Sequence, residues 1–381
     1  MSESPAQIEG ALVQIARGNA EAKSFAESRR LRMRGIAEGR VITGPQTVHF
    51  DLANGCNTNC VTCWDHSPLL TISRNATWKA KRVAYENFVA LAGDIASMNS
   101  VESVILSGMG DPFINPDIYR IIELCKSYGW HVTVLTNALL ADPGRVLSIG
   151  VDTMLISING VSALSYQSFH PNLKERAFLR LLTLLETFAS AGKRFKHVQV
   201  INRDTADEVV EMVRFAHRYN ASHITYKLAS LGHGTESCAI TDQQRARLAG
   251  ELIPDAQAEA SRLGIATNLD VFALQLEAGG RATAPIKQVG CFMGWAYARV
   301  TVDGKILFCC STEVEVGDLA YGRFSEQWFG EKWNATRAHL MRGKYFPGCD
   351  QCGKLNQNVK IGQKVRENLG EPLYLARTGQ S

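Results

Sequence analysis

The sequence predicts an α/β fold in two parts, a partial barrel on a parallel sheet followed by a small C-terminal α+β domain. Three observations predict it. After residue 46, short β-rich runs and amphipathic helical stretches alternate about six times, and such alternation means a parallel sheet. Six β/α units are too few for a closed eight-stranded barrel, so the barrel is expected to be open on one side. From residue 285 the texture changes to a hairpin, a helix and a cysteine-bearing loop.

Residues 1–45 carry helix formers and few β-branched positions until Gly44-Pro45 breaks the pattern, which predicts a helical lead-in. Across 46–240 the strands are Val48–Leu52, Ser103–Leu106, Val132–Leu135, Met154–Ile158, Val198–Ile201 and Ile224–Tyr226. Helices fall between them at Ala84–Met98, Pro116–Tyr128, Lys174–Ser190 and Ala206–Tyr219. Residues 241–284 are a long helix, Thr241–Leu263, and a linker around Gly279-Gly280. In 285–355, Ala298–Val302 and Lys305–Cys309 flank Asp303-Gly304, a strong hairpin signal. Ser325–Met341 has helical spacing, Gly343–Gly353 is a loop, and 356–381 reads as a tail.

With 45% hydrophobic and 20% charged residues among 381, disorder and collagen-like repeats are excluded. The 41 basic and 37 acidic residues leave a net charge of +4, too mild and scattered to argue for nucleic acid. No apolar run approaches the ~20 residues of a membrane span, and the first forty residues lack a secretory signal. A cytoplasmic protein is expected, without nucleic-acid or membrane partners.

Ten cysteines in a reducing compartment, clustered, point to metal or redox chemistry. Cys56-x3-Cys60-x2-Cys63 follows the first strand, at the end where parallel folds gather catalytic residues. Three thiolates hold three irons of a [4Fe–4S] cluster and leave the fourth open. Zinc favours four ligands, and neither Asp65 nor His66 completes a standard set. The second group is Cys291-x12-Gly304-x4-Cys309, then Cys349-x2-Cys352. Four thiolates fill a closed cluster, although this spacing also fits a zinc knuckle. Cys310, Cys125 and Cys238 stand outside both sets, with buried packing as their default role.

The first motif resembles the radical S-adenosylmethionine (SAM) superfamily, whose members carry it on a partial (β/α)6 TIM-like barrel, and the resemblance runs from about Thr47 to Cys352. It implies that SAM chelates the open iron and is cleaved to a 5′-deoxyadenosyl radical, which takes hydrogen from an unactivated C–H bond. A one-electron reductant such as flavodoxin or ferredoxin is implied as well. The position before the last cysteine, often aromatic in the family, is Thr62, and Trp64 is expected to supply the missing packing. Ser107-Gly108-Met109-Gly110-Asp111-Pro112 matches the family's glycine-rich segment, with Asp111 in place of Glu, and implies contacts to the SAM amino group. Glycine there is expected to let the backbone approach the ligand closely. Ser157 and Asn159, with Thr136-Asn137, match places where the family lines the SAM pocket, and turn chemistry is the plainer reading of these residues.

Asn202, Tyr226 and Lys227 are expected to face the barrel mouth, and His66, His170 and His233 show no ligand spacing. The second cysteine group, with Gly317-Asp318-Leu319, Trp328, Trp333 and Arg337, resembles the twitch form of the SPASM extension and implies an auxiliary [4Fe–4S] cluster. No catalytic acid, base or hydrogen donor is assigned. The substrate expected is a small polar metabolite (sugar, cyclitol or nucleotide sugar), dehydrogenated or epimerised, because this architecture resembles that of aminocyclitol dehydrogenases. The alternative is a maturase of ribosomal peptides, disfavoured by a short lead-in without a β-rich run.

Overall fold

A computed structural model describes residues 25–278, 283–310 and 313–380. Residues 1–24 of the expected lead-in and the Gly279-Gly280 linker lie outside them. Among the described residues ten strands form one sheet: β1 Thr47–Asp51, β2 Ser103–Ser107, β3 His131–Thr136, β4 Thr153–Ser157, β5 Lys196–Ile201, β6 His223–Leu228, β7 Ala266–Thr267, β8 Tyr297–Val300, β9 Lys305–Leu307 and β10 Glu315–Asp318. Their order is β10-β9-β8-β1-β2-β3-β4-β5-β6-β7. The first six are the strands expected from the sequence, paired in parallel in chain order.

Each of these strands except β5 turns an apolar face onto the crossover helices, and β5 turns His197 and Gln199 there instead, with His197 against Phe215. Val48, Phe50, Val104, Leu106, Val132, Val134, Met154 and Ile156 are all buried in the main core. Phe50 meets Phe88 of helix Tyr85–Ser97 edge-on at 5.0 Å. Side chains alternate along a strand, so His49, Asp51, Ile105, Ser107, Thr133, Leu135, Leu155, Ser157, Thr225 and Lys227 face the other way, into a lumen. The sheet curls around it. Lys227 on β6 acts electrostatically on His49 of β1, which strands spaced ~4.8 Å apart would prevent in a flat sheet.

The hairpin at Asp303-Gly304 is present as β8 and β9, which pair antiparallel. It builds no sheet of its own: β8 pairs in parallel with β1, and β10 adds an outer antiparallel strand that the sequence did not announce. The helix expected over Thr241–Leu263 is continuous but widens into a π turn at Leu248–Leu252 between α segments Asp242–Arg247 and Ile253–Leu263. Pro254 lies just beyond that turn, where a proline without N–H disturbs the regular ladder.

The expected tail is in fact two helices, Leu355–Leu369 and Glu371–Thr378. Tyr374 and Val365 pack with Ile36, Phe292 and Trp295, and Arg377 donates to the carbonyls of Ile36 and Ala37 at 2.9 and 2.7 Å. These carbonyls end the helix of residues 25–38 and have no partner within it, so Arg377 caps it. Among the described residues no helix is long and apolar enough to cross a membrane.

Candidate functional site

Cys56, Cys60 and Cys63 lie in the loop after β1, at the C-terminal end of the sheet. The Thr58 hydroxyl sits 3.3 Å from the Cys56 sulfur and 3.5 Å from the Cys60 sulfur, so the loop turns both inward. The Asp65 and His66 amides face the Cys63 sulfur. Burial pushes all three thiols up, Cys60 to about 12. Such thiols give up protons to a bound cation rather than to water. Among the described residues no three candidate ligands converge on one metal ion, and a [4Fe–4S] cluster, with one thiolate per iron, does not require it.

The loop is held from three sides. The side-chain amides of Asn57 and Asn137 bond reciprocally, Asn137 Nδ2 donating to Asn57 Oδ1 at 2.8 Å. Asn59 and Asn172 each accept the other's backbone N–H at 3.0 Å. Trp64 donates to the Ser230 carbonyl at 2.7 Å and meets His233 edge-on, so it packs on the loop after β6. His66 bonds the Asn54 carbonyl, and buried His170 bonds the Tyr166 carbonyl.

The chain's own backbone requires Gly108 and Gly110. A Cβ on Gly108 would lie 2.1 Å from the Ala53 carbonyl oxygen, and one on Gly110 would lie 1.8 Å from that of Gly55. The segment crosses the cysteine loop backbone to backbone, with Gly110 N–H donating to Ala53 and Asp111 N–H to Gly55. Asp111 is buried and already engaged. Its Oδ2 accepts from the Thr136 hydroxyl at 2.7 Å and the Asn137 amide at 2.9 Å, and its Oδ1 from the Phe113 amide at 2.9 Å. Burial pushes this carboxyl up, and those three donors pull it back. Asn159 has φ +54 and accepts from the Val200 amide, while Ser157 ends β4 on the lumen side.

The lumen beside β1 carries polar groups that the sequence reading did not single out. His49 bonds the Tyr297 hydroxyl at 2.6 Å through Nδ1 and the Ser107 hydroxyl through Nε2. Asp51 and Arg299 form a buried ion pair, and Arg299 also reaches Met109 and the Cys310 carbonyl. The missed signal was in β1 itself, where a fully buried strand reads Thr-Val-His-Phe-Asp with polar residues at alternate positions. Lys227 faces this group, its ammonium enclosed by protein though water reaches the side chain. Tyr226 does not, since its hydroxyl donates outward to the Val209 carbonyl and adjacent strand residues cannot share a face. Asn202 accepts the amides of Asp204 and Thr205, which is turn chemistry.

Cys291, Cys309 and Cys352 are buried, and Cys349 is half-buried. Their thiols are close enough to raise one another: Cys291 feels Cys352 and Cys349, and Cys309 feels Cys352 and Cys291. Asn358, in the first turn of helix Leu355–Leu369, accepts the Phe292 amide at 2.8 Å and donates to the Cys352 sulfur at 3.7 Å. The Cys310 thiol lies in hydrogen-bond contact with that of Cys309, which pushes the Cys309 thiol up, and it stands at the lumen, where Asp51, Lys227 and Tyr297 feel its charge. Lys354 lies 4.1 Å above the Tyr297 ring, and a cavity of about 100 Å³ separates Lys227 from Cys352 and Gly353. The segment of Cys349–Lys354 therefore stands across the open side of the sheet between β6 and β8. Cys125 is buried on helix Ile118–Ser127, and Cys238 lines a separate cavity with Ile201 and Ile240.

The profile of the Radical SAM superfamily matches residues 51–216, and that of the SPASM iron–sulfur cluster-binding domain matches residues 291–353. The chain is a radical SAM enzyme with a SPASM domain. Radical SAM and SPASM domains carry [4Fe–4S] clusters and use S-adenosylmethionine, and these are this enzyme's cofactors. The AdoMet-dependent heme synthase of Methanosarcina barkeri (strain Fusaro / DSM 804) is 22% identical over 297 residues, covering 74% of this chain and 82% of that protein. Streptococcus suis SuiB bound to S-adenosylmethionine superposes with a TM-score of 0.61 at 16% identity, over 95% of this chain and 78% of that one. Native anSMEcpe with bound AdoMet and Cp18Cys peptide gives 0.59 at 14% identity, over 83% of this chain and 88% of that one. At these identities the two structures show the radical SAM fold.

Proposed function

We propose that this radical SAM enzyme dehydrogenates a small polar metabolite held in the barrel lumen. Cys56, Cys60 and Cys63 would hold the SAM-binding cluster, and Cys291, Cys309, Cys349 and Cys352 the auxiliary one. Gly108, Gly110, Asp111, Ser157 and Asn159 would line SAM. When bound, these groups supply a 5′-deoxyadenosyl radical on one side of the lumen and a one-electron acceptor on the other. With both groups bound, they would take a hydrogen atom and an electron from the substrate's carbinol carbon, and its hydroxyl proton would pass to lumen water. One observation carries this reading: Cys310, next to the auxiliary ligand Cys309, stands within electrostatic reach of Lys227 and Asp51 in the lumen. A one-electron reductant such as flavodoxin or ferredoxin would start the cycle.

The lumen position of Cys310 also supports epimerisation, in which its thiol hydrogen quenches the substrate radical. Anaerobic screening of metabolites with reconstituted enzyme, SAM and reductant, scored by 5′-deoxyadenosine, identifies the substrate. Dehydrogenation gives a product two hydrogens lighter, whereas epimerisation in heavy water leaves one deuterium at the reacting carbon and unchanged connectivity. The Cp18Cys peptide named with anSMEcpe keeps a peptide substrate as a second class. Turnover of peptides and not metabolites would replace the first reading.

A further inference from the structure

The chain that follows the first cysteine group folds back onto it and faces solvent. Residues 64–82 carry four basic side chains, Arg74, Lys79, Lys81 and Arg82, against one acid, Asp65, which is a net +3 of the whole chain's +4. Asp65 pairs with Arg74 and Lys81 with Asp303 of the β8–β9 turn, each at 2.7 Å. Lys79 and Arg82 are exposed and have no carboxylate partner among the described residues, and Glu86 is the next exposed acid along the chain. The three thiols take their strongest neighbours from Thr58, Asp65, His66, Asp111 and one another, not from these bases, so the basic charge is turned to solvent. Apolar side chains lie among the bases. Trp64, Leu69 and Ile72 are 42, 41 and 84% exposed, three of the ten exposed large hydrophobic side chains among the described residues, gathered within nine positions. An apolar centre with a charged rim is the pattern of a protein-docking surface. The segment is pinned at both ends. Thr71 N–H donates to the His233 carbonyl at 2.9 Å, and Asn54 N–H to the Lys81 carbonyl at 3.0 Å. Arg74 lies 4.9 Å over the Trp78 ring, which meets His66 at 6.1 Å, so the apolar and basic halves fold together. Both halves abut the cysteine loop: Trp64 follows Cys63 directly, and Gly55, which precedes Cys56, is so close to the basic strip that a Cβ there would lie 2.9 Å from the Lys79 carbonyl oxygen.

We propose that residues 64–82 form the docking surface for an acidic one-electron carrier protein. The inference rests on the assignment of Cys56, Cys60 and Cys63 to the SAM-binding cluster, and it gives that cluster's reductant a place on the chain. One electron would leave the carrier, oxidising it by one step, and reduce the cluster by one, with no proton or group transferred. Opposite charge across such a surface steers the encounter and sets its orientation, while the exposed apolar side chains supply contact area. Seating at Trp64 and Lys79 would bring the carrier's redox group to the outer wall of the cysteine loop and leave the lumen to the substrate.

The test mixes the reconstituted enzyme anaerobically, by stopped flow, with two acidic probes, a flavodoxin hydroquinone and a reduced [2Fe–2S] ferredoxin. Oxidation of at least one carrier should saturate with enzyme concentration and slow steeply as salt is raised. K79E combined with R82E should weaken half-saturation roughly tenfold or more. I72S should weaken it with the salt dependence kept, and K364E, at an exposed lysine of helix Leu355–Leu369, should change nothing. Dithionite should reduce every variant to the same extent by electron paramagnetic resonance, which confirms that the clusters are kept. Saturation by neither carrier, or unchanged carrier kinetics in the K79E/R82E double variant, overturns the docking surface. Unchanged carrier kinetics with lost peptide turnover would make it a peptide-docking face instead. Added SAM tests the cluster assignment separately: a resonance signal of the carrier-reduced enzyme that SAM leaves unperturbed removes that assignment and keeps the docking result.

Discussion

Arg299 and Asp51 face each other across β8 and β1 as a two-point ion pair, with Nε 3.0 and 3.1 Å from the two carboxylate oxygens and Nη2 2.9 Å from Oδ2. Burial pushes the Asp51 carboxyl up and works against the Arg299 charge, while Asp51 holds Arg299 above its ordinary value. The ionised pair is the consistent state, because a guanidinium in two-point contact keeps its proton. Asp51→Asn leaves that charge buried without its partner and should cost about 3–5 kcal/mol, measured by urea unfolding. Asp51→Leu with Arg299→Met should recover most of the loss.

Gly110→Ala places a methyl group 1.8 Å from the Gly55 oxygen, where only backbone movement relieves the clash. The cysteine loop should shift, and anaerobically reconstituted protein should fall from about eight irons to about four. Cys60→Ala should give the same count by removing a ligand. Iron analysis with absorption spectra checks both, and a Gly110→Ala variant with the full complement would show that the loop tolerates the crossing.

Asp111→Asn turns an acceptor into a donor opposite the Thr136 hydroxyl or the Asn137 amide. A buried donor left without an acceptor costs about 1–3 kcal/mol, so the variant should unfold at lower urea. With Asp111 assigned to the SAM amino group, SAM affinity should drop roughly tenfold or more while both clusters keep their spectra. Lost stability with unchanged affinity would make Asp111 a brace for the β2–β3 loops alone.

Asn358→Leu keeps the approximate volume and removes the donor to the Cys352 sulfur. Hydrogen bonds to cluster sulfurs favour the reduced, more negative state. The auxiliary cluster's midpoint potential should therefore move to more negative values in a redox titration followed by electron paramagnetic resonance, and the first cluster should not move.

His197 is buried on β5 against Phe215, with no partner for Nδ1 among the described residues, and burial lowers it to about 4. Its neutral form is the one the fold accepts. Stability from this residue is fully present above the unfolded value near 6.5 and is lost as pH falls from there toward about 4, because the unfolded chain takes up the proton first. The loss is on the order of 3 kcal/mol. His197→Leu should flatten the decline in thermal midpoint between pH 7 and pH 4.5, and an unchanged slope would assign the decline to other groups.

The six inner strands were legible because each carries a Val/Ile/Leu face, and the hairpin because Asp303-Gly304 is a turn with a mechanism. The cysteine spacing announced the iron chemistry. Strand β10, Glu-Val-Gly-Asp, is too short and polar to announce itself, since its place comes from pairing with β9. Helix Leu355–Leu369 buries only Leu355, Asn358, Gly362 and Val365, a face too sparse in apolar residues for periodicity to detect. Only the curl of the sheet brings β6 and β8 within reach of one another. The glycines at 108 and 110 signalled a close approach without saying that the approaching group is the cysteine loop's own backbone.

The pairing of β1 with β8 also bears on how the chain reaches this state. Thr47 lies opposite Tyr297, some 250 residues later in synthesis. One edge of β1 therefore stays unsatisfied while nearly all of the barrel is already on the growing chain. Parallel pairings of such long range form slowly, and an open strand edge recruits other chains in the meantime. Overexpressed protein should be most prone to aggregation in this interval, and truncation before residue 297 should make the exposed edge permanent.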